Sequence, residues 1–243
     1  MKYFIATVAA LALAMPVVAQ EKTQFKDQKD KASYAIGLNI GMNLGKQKIA
    51  INPDAFAAGV KDGMSGKPKM TEAEVKETMT TFEKDMEAQQ AAAGDKNAKD
   101  GEKFLAENKK KDGVKTTASG LQYKVVKDGT GSRAKETDTV TVNYRGTLID
   151  GTEFDSSYKR GEPATFPLNA VIKGWTEGLQ LMNTGAKYQF FIPASLGYGA
   201  RGAGGDIGPN STLIFEVELI GSKPAASAAP AAGTASPAPS PKK

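Results

Sequence analysis

The sequence predicts an α+β protein, helical through its first half and closed by an antiparallel sheet curled around one short helix. Three observations carry this. After Gly113 the hydrophobic period changes from helical to two, with Leu121 to Val126, Thr139 to Tyr144, Thr165 to Leu168, Lys187 to Ile192 and Thr212 to Ile220 rich in Val, Ile, Tyr, Phe and Thr. Asp150-Gly151 marks a tight reversal between two of these strand candidates. Val171-Ile172-Lys173-Gly174-Trp175 places the only Trp of 243 residues in a short helical stretch between strands.

Composition excludes much chemistry. The chain contains no His and no Cys, which removes imidazole bases, thiolate nucleophiles, the common zinc sites and disulfides together. No metal and no cofactor is expected. A formal charge of +5 with the Lys residues spread along the chain argues against nucleic acid as a partner. With 40% hydrophobic and 24% charged residues the chain is able to bury a core.

The elements follow in order. Residues 1–19 combine a basic Lys2, an apolar run from Tyr3 to Met15 and small side chains at Val17-Val18-Ala19, the pattern of a secretory signal cleaved after Ala19 and too short to span a bilayer. The mature chain is then expected in a periplasm or on an outer surface, with no integral membrane segment. From Asp27 to Gly66 the pattern is helical. Ser33, Gly37, Gly41 and Gly45 recur every four residues and form one stripe of small side chains, flanked by Tyr34, Ile36, Leu38, Ile40, Met42 and Leu44. Each interior Gly costs about 1 kcal/mol against Ala, and close approach of a second helix is the natural compensation. Residues 20–70 are therefore expected to pair with their copies in a homodimer. Asn52-Pro53-Asp54 starts a second helix that ends near Gly66.

Thr71-Glu72-Ala73-Glu74 is a capping box. Behind it Val75, Met79, Phe82 and Met86 form a narrow apolar seam on a charged surface. Gly94 and Gly101 are expected to weaken this helix, and propensity alone leaves two readings open: one helix over 71–113, or a helix to about Gln90 followed by a linker. In the sheet region, Asn169 is expected to cap the helical stretch carrying Trp175, and Gly185 to close its continuation through Leu179 and Met182. Residues 222–243 are almost entirely Ala, Pro and Ser, too small and too Pro-rich for a core or a regular helix, so a tail is expected there.

Val142-Asn143-Tyr144-Arg145-Gly146, Gly151-Thr152-Glu153-Phe154-Asp155-Ser156-Ser157, Val171 to Trp175, Ile192-Pro193 through Tyr198-Gly199, and Thr212-Leu213-Ile214-Phe215 stand in one order. Together they resemble the FKBP-type peptidyl-prolyl cis-trans isomerases, over residues 114–221. The upstream helices resemble the dimerisation region of the macrophage infectivity potentiator and FkpA-like members, and this resemblance favours one long connecting helix over 71–113. It implies a proline pocket lined by Tyr144, Phe154, Asp155, Phe166, Val171, Ile172, Trp175, Tyr198 and Phe215, with Ile207 as a further apolar wall. Asp155, Tyr198 and Phe154 are then the candidate catalytic residues. Ala164 stands where small single-domain members carry a pocket Phe, and Ala203 near their loop His, so one rim is expected to be looser than in those members, which bears on affinity for the family's macrolide ligands more than on the isomerase activity.

Read as chemistry alone, an aromatic pocket with few polar groups suits rotation of an X-Pro amide, which breaks no bond and moves no proton. Without the motif, Phe166, Phe215 and Trp175 would read as plain core. Asp155 and Glu153 are a weak candidate for a carboxylate pair, and Asp155 is expected to be bonded within the pocket. Gly199 to Gly208 lacks the ending of a phosphate loop and is expected to be a mobile rim loop. Two functions follow: an isomerase acting on proline-containing unfolded or partly folded polypeptides, with client holding in the cleft of the dimer, or a holding chaperone or surface binding module that uses the isomerase fold as scaffold.

Overall fold

The computed structural model describes residues 25–224. The expected signal segment lies outside them, as does the tail beyond Pro224.

Helix α1 is Gln28–Lys46, and α2 is Pro53–Ser65. Asn52 caps α2, its side-chain oxygen accepting from the amides of Asp54 at 2.9 Å and Ala55 at 3.1 Å, and Gly66 ends it in the left-handed region at φ 66°. Neither helix buries a residue. The third helix, α3 (Glu72–Asn108), begins with the expected capping box: the Glu74 amide donates to Thr71 Oγ1 at 3.2 Å, and the Thr71 amide donates to Glu74 Oε2 at 2.7 Å.

Helix α3 runs unbroken through Gly94 and Gly101, both of which are buried. That settles the two readings in favour of one long helix: the glycines cost propensity without breaking it. A Cβ at 94 would lie 3.0 Å from Pro209 Cβ, and one at 101 would collide with the Thr212 hydroxyl. The lost propensity, about 1 kcal/mol per Gly, is the cost of bringing the helix backbone onto the sheet domain. At the end of α3, Asn108 Nδ2 donates to Gln122 Oε1 at 3.0 Å, and Gln122 Nε2 donates to the Leu105 carbonyl at 2.9 Å.

Among the described residues seven antiparallel strands follow: β1 Val114–Thr116, β2 Gln122–Lys127, β3 Asp138–Leu148, β4 Glu153–Ser156, β5 Ala164–Pro167, β6 Lys187–Ile192 and β7 Leu213–Pro224. Their order is β1-β2-β6-β7-β3-β4, with β5 also on β3. The short helix α5 (Lys173–Leu179) lies in the hollow. Period-2 alternation aims Val140, Val142 and Tyr144 of β3 and Leu213, Phe215, Val217 and Leu219 of β7 inward, where they meet Trp175 and Leu179 in one core. Gly174 and Gly178 let α5 settle on β6, since a Cβ would come within 2.6 Å of Ile192 and 2.7 Å of Phe190. Phe191 points to the other face of β6 and meets Phe104 of α3, ring centroids 6.0 Å apart.

Three local expectations are corrected. Asn169 does not cap α5: the cap position is Ile172, without a side-chain bond, and Asn169 lies in the 3-10 turn Leu168–Ala170. Helix α5 stops at Leu179, and Gly185, at φ 91°, serves the turn before β6. Strand β7 continues to Pro224, past the expected tail boundary at Ser222, because Ser222 Oγ donates to Asp138 Oδ2 at 2.7 Å and Pro224 pairs with Asp138.

Candidate functional site

A cleft of about 430 Å³ opens between α5, the inner face of the sheet and the segment after β6. Its walls include Tyr144, Phe154, Asp155, Phe166, Val171, Ile172, Trp175, Tyr198 and Phe215, so nine of the expected site residues converge there. Ile207 does not: it is buried in the core and lines no part of the cleft. Sequence reading missed Ala170, Gly197, Arg201 and Gly202. These flank the motif residues, and nothing in their side chains announced them. Ala164 and Ala203 pack against the core instead of lining the cleft.

Trp175 is held by the first turn of α5, whose start at Ile172–Lys173 also turns Val171 and Ile172 into the wall. Its indole is 4% exposed and meets other rings edge-on. Tyr144 lies 5.1 Å away at 89°, Phe215 at 5.0 Å and 83°, and Phe166 tilts at 5.4 Å, favoured arrangements for aromatic quadrupoles. Phe154 stacks edge-on against Phe215 at 5.4 Å. The two pack above Gly146, where a Cβ would approach both rings to 2.7 Å. The β3–β4 hairpin turns at Asp150-Gly151 with Gly151 at φ 88°, and this return brings Phe154 and Asp155 alongside Gly146.

The one carboxylate in the cleft is fully engaged. Asp155 Oδ2 accepts from the Tyr144 hydroxyl, and Oδ1 accepts from Arg160 Nη1 and, at 2.8 Å, from the Ser156 amide. Arg160 Nη2 donates to Tyr144 Oη at 2.8 Å, closing a three-membered network. Burial, followed by the bond to Asp155, pushes the Tyr144 phenol up to about 12. Burial, with the Asp155 charge adding, also raises the Tyr198 phenol. Glu153 faces elsewhere, paired with Arg145 at 2.6 Å and Lys159 at 2.9 Å, so Asp155 and Glu153 do not form a catalytic dyad. The spacing of Arg160, five residues after Asp155 across the turn of α4 (Ser157–Arg160), was the available signal for its role.

This arrangement offers an apolar box with a fixed negative edge and hydroxyl donors. It suits binding and reshaping a compact apolar group, and it contains no activated nucleophile.

Residues 131–220 match the family described as FKBP-type peptidyl-prolyl cis-trans isomerase, and residues 29–125 match the domain amino terminal to FKBP-type peptidyl-prolyl isomerase. The outer membrane protein MIP of Legionella longbeachae is 48% identical over 231 residues, covering 93% of this chain and 99% of that protein. The FKBP-type peptidyl-prolyl cis-trans isomerase FkpA of Escherichia coli K12 is 43% identical over 230 residues, 90% of this chain and 85% of that one. The crystal structure of FkpA from Escherichia coli superposes with a TM-score of 0.60 at 42% identity, covering 84% of this chain and all of that chain.

Proposed function

The chain belongs to the FKBP-type peptidyl-prolyl cis-trans isomerase family, and from that premise we propose that the substrate proline sits over Trp175 while Tyr198 and Asp155 act on the amide that turns. The protein is a peptidyl-prolyl cis-trans isomerase. The carrying observation is the aromatic cleft with its single, fully bonded carboxylate.

Rotation about an X-Pro amide meets a barrier of ~18–20 kcal/mol, because twisting breaks the resonance of the planar peptide. As the amide twists, its carbonyl loses charge separation and needs less solvation. A cleft that takes the planar amide from water therefore penalises the planar form more than the twisted one. Each ~1.4 kcal/mol so removed raises the rate about ten-fold. The rings of Trp175, Phe166 and Phe215 hold the pyrrolidine, the Tyr198 hydroxyl donates to a substrate carbonyl, and Phe154 closes the wall beside the carbonyl. Asp155 keeps its place as a negative edge, since both its oxygens are spoken for. No proton transfer is assigned to it.

Four further readings belong with this one. The helical region forms a homodimer, supported by the apolar face that α1 leaves uncovered. The protein is exported, with cleavage after Ala19, to a periplasm or outer surface, supported by the apolar amino-terminal run and by relatives that include an outer membrane protein. The dimer holds unfolded clients between its two cleft-bearing arms, and macrolide inhibitors compete for the cleft, whose apolar lining suits them.

A protease-coupled assay on a short proline peptide, with Trp175 emission followed in parallel, tests the site. Saturable acceleration together with a saturable emission change is expected. Binding by calorimetry without any emission change would place the site elsewhere, and binding without acceleration would leave the fold as a scaffold for holding alone.

A further inference from the structure

The cleft wall that carries Tyr198 is the first stem of a loop whose second stem lies on α3. The stems are joined by two backbone bonds: the Ala203 amide donates to the Ile207 carbonyl at 3.0 Å, and the Asn210 amide donates to the Gly199 carbonyl at 2.9 Å. The second stem is then fixed to the helix by side-chain amides. Asn97 Nδ2 donates to the Pro209 carbonyl at 2.9 Å and to Ser211 Oγ at 3.4 Å, and Asn210 Nδ2 donates to the Gly94 carbonyl at 3.3 Å.

Within itself this stem is held by one side-chain bond, from Ser211 Oγ to the Gly208 carbonyl at 2.9 Å. Pro209 has no amide hydrogen, and Asn210 sits in the left-handed region at φ 54°, where strand pairing is interrupted. Its place is set largely from outside, by a helix whose buried Gly94 lies against Pro209 and Asn210 and whose buried Gly101 lies against Thr212. A helix acting only as a spacer would gain nothing from losing side chains at 94 and 101. Two links therefore lead from the helix to the cleft: Asn97 to Pro209, and Asn210 to Gly199, the neighbour of Tyr198.

We infer that Asn97 is a positioning residue for the isomerase reaction, holding the Tyr198 wall at its working distance through the 209–210 segment. The inference rests on the reading that Tyr198 donates to the substrate carbonyl. Misplacing the hydroxyl that orients the bound amide against the desolvating walls lowers kcat more than it raises KM. The end of α3 is thus part of the active site's support.

The test uses the full chain and a short proline peptide. Asn97→Ala removes the donor, and Asn210→Gly removes the bond to Gly94 while tolerating the positive φ. Each is expected to lower kcat on the order of five-fold with KM nearly unchanged, while Lys99→Ala, exposed on the same helix, keeps the full rate. Because the effect passes through Tyr198, adding Asn97→Ala to Tyr198→Phe should cost little more than Tyr198→Phe alone. An unchanged kcat in Asn97→Ala and Asn210→Gly, with Tyr198→Phe slow, would overturn the inference and leave the role of Tyr198 standing. A full rate in Tyr198→Phe would overturn both. The same loss in both backgrounds would also overturn it, since Asn97 would then support the domain without reference to Tyr198.

Discussion

Arg160 lies over the ring of Tyr144, its guanidinium carbon 5.3 Å from the ring centroid, and donates to the hydroxyl of that same residue at 2.8 Å. The guanidinium also reaches Asp155, so one side chain fixes both Tyr144 and Asp155 in the cleft wall. Arg160→Met keeps the length and apolar stem but removes the donors. Asp155 would keep the Tyr144 hydroxyl and the Ser156 amide, so the fold should survive and the carboxylate should gain freedom. A fall in kcat/KM on the order of five-fold is expected on short peptides. Asp155→Leu should cost more, because it leaves the Tyr144 hydroxyl and the Arg160 charge without their acceptor and changes the cleft's shape. Equal, full activity in both variants would remove the network from the mechanism.

Acidity follows from the same network. The Tyr144 phenol, pushed up to about 12 in the folded protein, loses its proton near 10 when unfolded. The native state therefore binds that proton more tightly. The resulting stability is fully present below pH ~10 and is lost as pH rises from there through about 12. Thermal melts should be level on this account from neutral pH to about 9.5 and fall beyond it, and Tyr144→Phe should flatten the alkaline fall. A fall of equal size in that variant would assign it to another group.

Gly101 offers a sharper test of how α3 is used. On an exposed helix, Gly→Ala stabilises by about 1 kcal/mol. Here an added Cβ would run into the hydroxyl of Thr212, a buried β-branched residue beginning at the foot of β7. Gly101→Ala is expected to lower the melting temperature of the full chain, and a rise would show that the helix does not need its close seat.

What the sequence disclosed follows from how local each signal is. The Thr71-Glu74 box, the Asn52 cap and the Asp150-Gly151 turn are each written in a few adjacent residues, and all three appear in the structure. The fold class was legible from periodicity and the convergence of nine cleft residues from the linked motifs. Gly94 and Gly101 were misread because a propensity scale sees the helix alone, whereas Pro209 and Thr212, more than a hundred residues on, supply the reason for them. Asn169 was misread for a related cause: it lies in a 3-10 turn, and α5 starts four residues later without any side-chain cap. Ile207 satisfied a motif position, yet its side chain is buried in the core and lines no part of the cleft.

The last prediction concerns α1. Tyr34, Ile36, Leu38 and Met42 are 52%, 62%, 49% and 52% exposed, and a Cβ added at Gly37, Gly41 or Gly45 would meet nothing within 4 Å. A shallow groove lined by Tyr34, Gly37, Leu38, Gly41 and Met42 runs along this face. Three glycines in one register cost the helix about 3 kcal/mol relative to Ala, with no return from the described residues. A second copy crossing over the stripe would supply it, since backbones would then approach closely and the flanking apolar side chains would leave water. Gly41→Leu fills the groove at its centre and should yield monomers by sedimentation. The short-peptide rate should be unchanged, because those peptides touch only the cleft. Refolding of a proline-limited client should slow, because two linked sites raise the effective concentration of one client at the second site. An unchanged dimer in that variant would mean that the stripe is not the seam, and monomers that refold clients at the dimer's rate would mean that holding between the arms contributes nothing.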